Sequence, residues 1–300
     1  MSRLERQSFL GAESDAVLEA ATVGLVGLGG GGSHIAQQCA HLGIGGFVTA
    51  DPDVIEETNT NRLIGGTLQD VAEGRPKVEI AERLIQGLQP KARIIAVARD
   101  WREAADDLKL SDVIVGAMDS FKERDEIERF ARRHLIPYID IGMDVHDLGA
   151  GEFIVSGQVI LSLAGHACMR CCGFITEERL AEEARHYGAA GSRPQVVWAN
   201  GVLASSAVGL LTQLLTPWYA DPPGFVFLQY DGNKGTVTCN PRMEILKHQA
   251  CPHHPVDETG DPLFDIRTQK IAPRPAVTAR PAASPVPWWH RAWNRVRRGL

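Results

Sequence analysis

Short apolar runs alternate with amphipathic stretches along the first half of the chain. The apolar runs predict strands over residues 21–26, 46–50, 92–97, 112–116 and 136–141. Apolar positions at helical spacing predict helices over residues 33–42, 78–88 and 121–134. Strands separated by helices of this length need crossover connections, which make the strands parallel and cover both faces of the sheet.

The pattern changes after about residue 144. Residues 153–163 alternate in the manner of antiparallel strands, with a break expected at Gly157. A helix is predicted over residues 197–215, followed by a strand at 225–230, a turn, and a strand at 236–238. The predicted fold is therefore α/β: a Rossmann-like doubly wound sheet, parallel in its first half and antiparallel in its second.

Composition narrows the class of protein. The chain has 300 residues, of which 44% are hydrophobic and 23% charged, as in an ordinary globular protein of one or two domains. Six cysteines are too few for a secreted disulfide framework. No apolar run reaches the roughly 18 residues of a membrane span, and the first residues lack the apolar core of a signal peptide. A cytoplasmic location is expected.

Charge is distributed unevenly. The net charge is −6, but residues 266–300 contain eight Lys or Arg and no acid, so the rest of the chain carries −14. An acidic body argues against nucleic-acid binding across the main domain. The basic end of the chain requires a separate explanation.

A glycine-rich segment lies between the first predicted strand and helix. It includes Gly27, Gly29, Gly30, Gly32 and Ser33. Glycines at such a turn let the backbone approach a phosphate, and the first helical N–H groups point at it. Asp51 lies at the end of the second strand, where a carboxylate can accept hydrogen bonds from ribose hydroxyls. Up to this point an NAD-dependent dehydrogenase is an equally good interpretation.

Four further polar residues favour ATP over NAD. Asn59, Arg62 and Lys77 could together neutralise a triphosphate, and Asp119, at a strand end, could hold Mg²⁺. Each also has an ordinary structural interpretation, such as a solvated surface charge or, for Asp119, a helix cap. The four residues in this order along the chain indicate an ATP site far more specifically than any one of them does alone.

In these residues the chain resembles the MoeB, ThiF and HesA family of adenylating enzymes, which is related to the ubiquitin-activating enzymes. The resemblance extends from Arg6 to Cys251. It implies a homodimer or pseudodimer that binds ATP and Mg²⁺ and adenylates the C-terminal glycine of a ubiquitin-like or sulfur-carrier protein, releasing pyrophosphate. It assigns the ribose to Asp51, the phosphates to Asn59, Arg62 and Lys77, and Mg²⁺ to Asp119. Arg6 matches an arginine that enters the partner's ATP site. Ser120 stands where many relatives have Asn.

A second group of residues has the spacing of metal ligands. Cys168 and Cys171 form one pair, and Cys251 and His254 form another. Two such pairs can share one tetrahedral Zn²⁺, and the resemblance implies a structural zinc at these places. His253 is a substitute for His254, Cys239 is a weaker fourth candidate, and a remnant pair without metal is the alternative.

The resemblance also bears on covalent catalysis. Ubiquitin-activating enzymes place a nucleophilic cysteine near the crossover segment before the late helix, and residues 173–195 contain none. Adenylation without a thioester is therefore expected. Cys172 is the nearest free thiol, and packing or spare coordination is the favoured interpretation for it.

The predicted domain organisation has three segments. Residues 1–255 form the adenylation domain, with an N-terminal arm at 1–20 and zinc-binding elements at 168–171 and 251–254. A Pro/Ala-rich linker covers 256–287 and a basic, Trp-rich amphipathic tail covers 288–300. The tail is expected to dock on a partner or on the chain's own acidic body rather than on a membrane.

Three alternative functions stay open. A related enzyme of the same family closes a ring on a modified tRNA base with ATP, an NAD-dependent oxidoreductase would transfer hydride, and a non-catalytic scaffold would only bind nucleotide. The acidic body disfavours the tRNA enzyme. The full set of phosphate-facing residues disfavours the scaffold.

Overall fold

In the computed structural model, which describes residues 3–185, 194–221, 223–247 and 249–267, eight strands form one sheet. They are β1 (Thr22–Val26), β2 (Gly46–Ala50), β3 (Arg93–Val97), β4 (Val113–Gly116), β5 (Tyr138–Gly149), β6 (Glu152–Ser162), β7 (Val226–Asp231) and β8 (Thr236–Cys239). Their order across the sheet is β3-β2-β1-β4-β5-β6-β7-β8. The strands from β3 to β5 are parallel, and those from β5 to β8 pair antiparallel. The predicted α/β class with two differently paired halves is confirmed.

Helices connect and cover these strands. They are α1 (Ser14–Ala20), α2 (Gly30–Leu42), α3 (Leu68–Glu73), α4 (Lys77–Leu88), α5 (Ala105–Leu108), α6 (Phe121–Arg133), α7 (Glu177–Arg185), α8 (Val197–Leu215) and α9 (Arg242–Leu246). Short 3₁₀ turns occur at Glu5–Leu10, Glu57–Asn59, Trp101–Ala104 and Val256–Glu258. The main core lies between the sheet and helices α2 and α8.

The long hairpin of β5 and β6 differs from the prediction in two ways. β5 extends to Gly149 instead of ending near residue 141, because it pairs with β6 along nearly its whole length. The predicted break at Gly157 is wrong, since Gly157 pairs with Met143 on one side and Tyr230 on the other. A Cβ at Gly157 would lie 2.5 Å from Leu203 of α8. The glycine lets a helix pack closely on a continuous strand.

The expectation that no segment reaches the length of a membrane span is wrong, because helix α8 is long and apolar enough by length and composition alone. Half of it is buried within the protein, and it packs against α2, β5 and β6. These contacts are those of a core helix in a globular domain.

The packed body continues beyond the predicted domain boundary at residue 255. Phe264 and Ile266 are buried, and the guanidinium of Arg133 lies 5.0 Å from the centre of the Phe264 ring. The first residues of the predicted linker therefore belong to the body. The rest of the linker and the Trp-rich tail lie outside the described residues.

Candidate nucleotide site and metal centre

The predicted nucleotide residues lie around the carboxyl ends of β1, β2 and β4. Strand β1 is the point at which the strand order reverses, with β2 on one side and β4 on the other. In open α/β sheets, ligands bind in the crevice that forms at such a switch point. The glycine-rich turn after β1 is placed in that crevice.

Backbone packing accounts for several of the glycines. Gly27 has φ of +84°, and a Cβ there would lie 2.6 Å from the carbonyl oxygen of Ala117, just after β4. A Cβ at Gly30 would lie 2.4 Å from Nδ2 of Asn200 on α8, and one at Gly32 would lie 1.9 Å from the Gly27 oxygen. A Cβ at Gly29, by contrast, meets no atom within 4 Å. The loop is thus packed on one side and open at Gly29.

Asp51 holds the glycine loop against the end of β2. Its carboxylate accepts hydrogen bonds from the backbone N–H of Leu28 at 2.6 Å and of Asp53 at 2.8 Å. Burial raises the pKa of the Asp51 carboxyl, while the nearby charge of Lys77 and the two N–H donors act in the opposite direction. The carboxylate that is predicted to hold ribose therefore also fixes the loop.

The two predicted phosphate-binding cations approach the loop from different segments. Lys77 begins α4, and its Nζ donates to Oδ2 of Asp53 at 2.7 Å with the side chain largely buried. Arg62 donates to the carbonyl of Thr58 at 2.7 Å, and its Cδ would lie 3.3 Å from a Cβ at Gly30. Arg62 therefore lies directly over the glycine loop.

Two other predicted residues have hydrogen bonds within the protein. Ser33 is buried; its hydroxyl donates to the Gly30 carbonyl at 3.0 Å and accepts from the N–H of Ile64 at 3.0 Å. Asn59 accepts from the N–H of Glu56 at 3.1 Å, and its own carbonyl accepts from the N–H of Arg62 at 3.0 Å. In these positions both residues order the segment that carries Arg62.

Asp119 follows the end of β4 and is exposed. Nε2 of Gln195 donates to it at 3.5 Å, at the start of the segment that leads into α8. Asn61 donates to the backbone oxygen of Gln195 at 3.2 Å. These contacts join the segments of Arg62 and Asp119 at one end of the crevice.

The next residue, Ser120, caps helix α6. Its hydroxyl accepts from the N–H of Glu123 at 3.2 Å and donates to the carboxylate of Glu183 on α7 at 3.2 Å. That carboxylate also accepts from the N–H groups of Phe121 and Lys122, at 2.9 and 3.0 Å. A negative charge at a helix N-terminus is favourable. Through these hydrogen bonds Glu183 holds α7 against the start of α6, next to Asp119.

Arg124 of α6 holds the segment that contains Asp119 in place from inside the protein. It is buried, pairs with buried Asp140 of β5, and donates to the backbone oxygens of Met118 and Ile141. The hydrogen bond to Met118 fixes the residue immediately before Asp119. Sequence reasoning missed Arg124, although a cation on the apolar face of the predicted helix, three residues before Ile127, was the available signal. Asn200 and Glu183 were missed as well, because only the packing of α7 and α8 brings them here.

Within one chain, Arg6 lies apart from the other predicted nucleotide-binding residues. It is exposed in the first 3₁₀ turn. The arm that carries it packs at the end of α2, where Arg3 donates to the Ala40 oxygen at 3.3 Å and Gln7 to the Leu42 oxygen at 2.9 Å. The glycine loop lies at the other end of this helix, which is about 20 Å long.

The predicted cysteines converge into a compact cluster with a histidine. The sulfur of Cys171 lies 3.6 Å from the sulfurs of both Cys168 and Cys251, and Nδ1 of His253 lies 3.5 Å from Cys168 and 3.4 Å from Cys171. Zinc bonds of about 2.3 Å to sulfur and about 2.0 Å to nitrogen give tetrahedral edges of about 3.8 Å and about 3.6 Å. The four side chains fit one tetrahedral zinc ion.

The histidine in this cluster is His253, the substitute, rather than His254. His254 is buried on the other side of Cys168, with its Nε2 3.9 Å from a carboxylate oxygen of Glu128. Adjacent residues direct their side chains differently, so only one of the two histidines can complete the cluster. Cys239 is exposed on β8 and is not one of the grouped ligands.

Cys172 is buried next to this centre. Its sulfur donates to the Met169 carbonyl at 3.2 Å, and burial raises the pKa of the thiol to about 12. A neutral, enclosed thiol is a poor nucleophile. This agrees with the interpretation of Cys172 as a packing residue.

Comparison with known proteins identifies relatives. The ThiF family model matches residues 1–253. The chain is 34% identical over 164 residues to the SAMP-activating enzyme E1 of Haloferax volcanii, covering 54% of this chain and 57% of that protein. It is 33% identical over 129 residues to the sulfur carrier protein adenylyltransferase of Thermus thermophilus, covering 41% and 47%. A match to the tRNA threonylcarbamoyladenosine dehydratase of Bacillus subtilis has 33% identity over 94 residues, covering 31% and 36%.

The chain thus spans between about a third and somewhat over half the length of these curated relatives. Among solved structures, Escherichia coli MccB with ATP aligns with a TM-score of 0.64 and 19% identity, covering 80% of this chain and 71% of that one. At this identity the likeness concerns the fold alone. The match of the family model to most of the sequence shows that the chain belongs to the ThiF family.

Proposed function

We propose that this chain is an ATP-dependent adenylyltransferase that activates the C-terminal glycine of a ubiquitin-like or sulfur-carrier protein. The observation that carries the proposal is the crevice at the ends of β1, β2 and β4. There an open glycine turn, a buried carboxylate and two cations from separate segments converge with an exposed aspartate. The activities named for the relatives from Haloferax and Thermus support the same class of reaction.

The proposed reaction is an attack by the carrier's terminal carboxylate on the α-phosphorus of ATP. A new carboxyl-oxygen–phosphorus bond forms, the bond to the bridging oxygen breaks, and pyrophosphate leaves with the electron pair. Such a step depends on positioning and on charge neutralisation more than on a protein nucleophile. Arg62 and Lys77 neutralise phosphate charge, Asp51 binds the ribose, and the open side of the loop at Gly29 receives the phosphates.

Asp119 would hold Mg²⁺ in this site. When bound, the ion would offset the negative charge that develops on pyrophosphate. An exposed carboxylate at a strand end suits a cation that retains several waters. Arg124 and Gln195 then act as positioning residues, since they contact Met118 and Asp119 rather than the nucleotide.

Zinc is proposed as a structural ion bound by Cys168, Cys171, Cys251 and His253. It would link the turn after β6 to the segment after α9, two regions that are far apart in sequence. No step of the proposed reaction uses it.

A homodimer is part of the proposal. Arg6 packs with the arm at the end of α2 that is remote from the chain's own glycine loop, so it can act on nucleotide only in the site of a second copy. An inactive Arg6→Ala chain mixed with an inactive Asp119→Ala chain should then regain activity. Each mixed dimer would contain one site with all of its residues.

The direct test is ATP–pyrophosphate exchange with purified ubiquitin-fold carriers. Exchange should require the carrier and should vanish with a carrier that lacks its terminal Gly-Gly. Mass analysis under non-reducing conditions should find no covalent adduct on the enzyme. Exchange that is absent with every carrier, or hydride transfer with NAD, would overturn the proposal.

The tRNA-cyclising reaction is the second candidate, supported by the match to the dehydratase of Bacillus subtilis. The charge of −14 outside the basic C-terminal segment disfavours it. ATP consumption that depends on tRNA and proceeds without any carrier protein would select this candidate instead.

A further inference from the structure

Two buried side chains beside the Cys/His cluster have polar atoms without partners. Glu128 of α6 and His254 are buried, and within the described residues neither Oε2 of Glu128 nor Nε2 of His254 has a hydrogen-bond partner. The two atoms face each other at 3.9 Å, which is too long for a hydrogen bond. A buried polar atom left unsatisfied lowers stability, and a cation between these two atoms would satisfy both.

Cys168 connects this pair to the cluster. Its sulfur, the Glu128 carboxylate and the His254 ring offer three buried ligand atoms that lie within 4.8 Å of one another. The remaining oxygen of Glu128 accepts from the N–H of Met169 at 2.9 Å, which fixes the direction of the carboxylate. The site is therefore oriented by the backbone of the turn that carries Cys168.

The charges of the ligands favour a second cation. One zinc ion held by three thiolates and a neutral histidine leaves a net charge of −1, and the buried carboxylate of Glu128 makes it −2. A second divalent ion makes the whole centre neutral. Because an uncompensated charge is costly away from water, the pair of cations is the arrangement that such burial favours.

We propose that the chain binds two zinc ions here, with the thiolate of Cys168 bridging them. The first lies among Cys168, Cys171, Cys251 and His253, and the second is bound by Cys168, Glu128 and His254, with a water molecule as its fourth ligand. Mixed sulfur, nitrogen and oxygen ligands suit zinc. The second ion fastens helix α6 to the segment after α9, and the inference does not depend on the adenylation activity.

The test is the metal content of the untagged, full-length protein. After saturation with zinc and gel filtration against a weak chelator, elemental analysis should find two zinc ions per chain. Glu128→Gln and His254→Asn should each lower the count to one. Glu126→Gln is the matched control, because Glu126 is a similarly buried carboxylate on the same helix that pairs with Arg102, and it should retain two.

Cadmium-113 NMR on the cadmium-loaded protein provides an independent measurement. The wild-type protein should show two resonances, of which Glu128→Gln removes one. Glutamine retains an oxygen for the Met169 N–H, and circular dichroism checks that the variant is folded. A wild-type count of one zinc or fewer overturns the inference without the use of any variant. Two ions that persist in Glu128→Gln overturn it as well, because the second would then lie elsewhere.

Discussion

The candidate nucleotide crevice and the candidate metal centre are built in opposite ways. In the crevice, glycines and backbone groups shape the site, and its charged side chains are in part exposed, as Asp119 is. In the metal centre, side chains from three distant segments meet with their ligand atoms largely buried. Water and local partners can stabilise the crevice without its ligand. The ligands of the candidate metal centre are buried or half-buried and lie close together, so removal of the proposed ions should affect stability.

The strongest test of this contrast is Asp119→Ala. Loss of the proposed magnesium ligand should reduce carrier-dependent ATP–pyrophosphate exchange by roughly 10²-fold or more, while the thermal unfolding temperature stays the same. Asp257→Ala, which changes an exposed aspartate of the last 3₁₀ turn, is the control and should keep full exchange. A stable Asp119→Ala protein with unchanged exchange would remove Asp119 from the site.

Cys251→Ser should give the converse result. It removes a proposed ligand of the first zinc ion, so the protein should lose metal and about 4 kcal/mol of unfolding free energy, the size expected for loss of a structural metal. Cys239→Ser, an exposed cysteine outside the cluster, should change neither quantity. Denaturant unfolding with parallel zinc analysis measures both. Equal stability of the two variants would show that the centre does not contribute to folding.

Gly30→Ala tests whether backbone packing shapes the crevice. The added Cβ would meet Asn200 at 2.4 Å, so we expect a loss of about 1–3 kcal/mol together with reduced exchange. Gly87→Ala on α4, where a Cβ meets nothing within 4 Å, should instead stabilise the protein by about 0.5–1 kcal/mol. Denaturant unfolding of both variants provides the comparison, and a Gly30→Ala protein as stable as Gly87→Ala would contradict it.

Arg124→Lys tests the support beneath Asp119. Lysine keeps the charge that pairs with Asp140 but cannot reproduce the several hydrogen bonds of the guanidinium. We expect exchange to fall about tenfold at low magnesium and to recover in part at high magnesium, since the metal ligand is misplaced rather than removed. Arg133→Lys, on the same helix and paired with Glu258, is the control. A loss that magnesium does not alter would indicate a purely structural role.

Cys172→Ser should have the smallest effect. Because burial raises the pKa of this thiol to about 12, it stays protonated and unreactive throughout the range from pH 6 to 9. Exchange should stay within about twofold of wild type, and mass spectrometry should find no alkylation of Cys172 by iodoacetamide at pH 8 in the folded protein. A thiol-labile carrier adduct lost in Cys172→Ser would reverse this assignment.

Much of the nucleotide crevice was predictable from the sequence. The glycine turn, Asp51 and Asp119 each follow a short apolar strand, and parallel strands bring such ends to one edge of a sheet. The supporting residues were not predictable in the same way. Asn200 and Glu183 come from helices whose packing depends on contacts between distant segments, and Arg124 stands out only as a cation on an apolar helix face.

The sequence by itself determined most of the strands, the longer helices α2, α4, α6 and α8, and the kinds of chemistry, because strand and helix periodicity, glycine turns and cysteine spacing are local properties. The tertiary structure decided the packing and the ligand role of individual residues within those elements. Gly157 lies within the continuous strand β6, where the absence of a Cβ leaves room for Leu203 of α8. His253 rather than His254 lies among the three cysteines. The physical reason is that side-chain direction depends on the path of the backbone. That path is set by close packing among residues far apart in the chain.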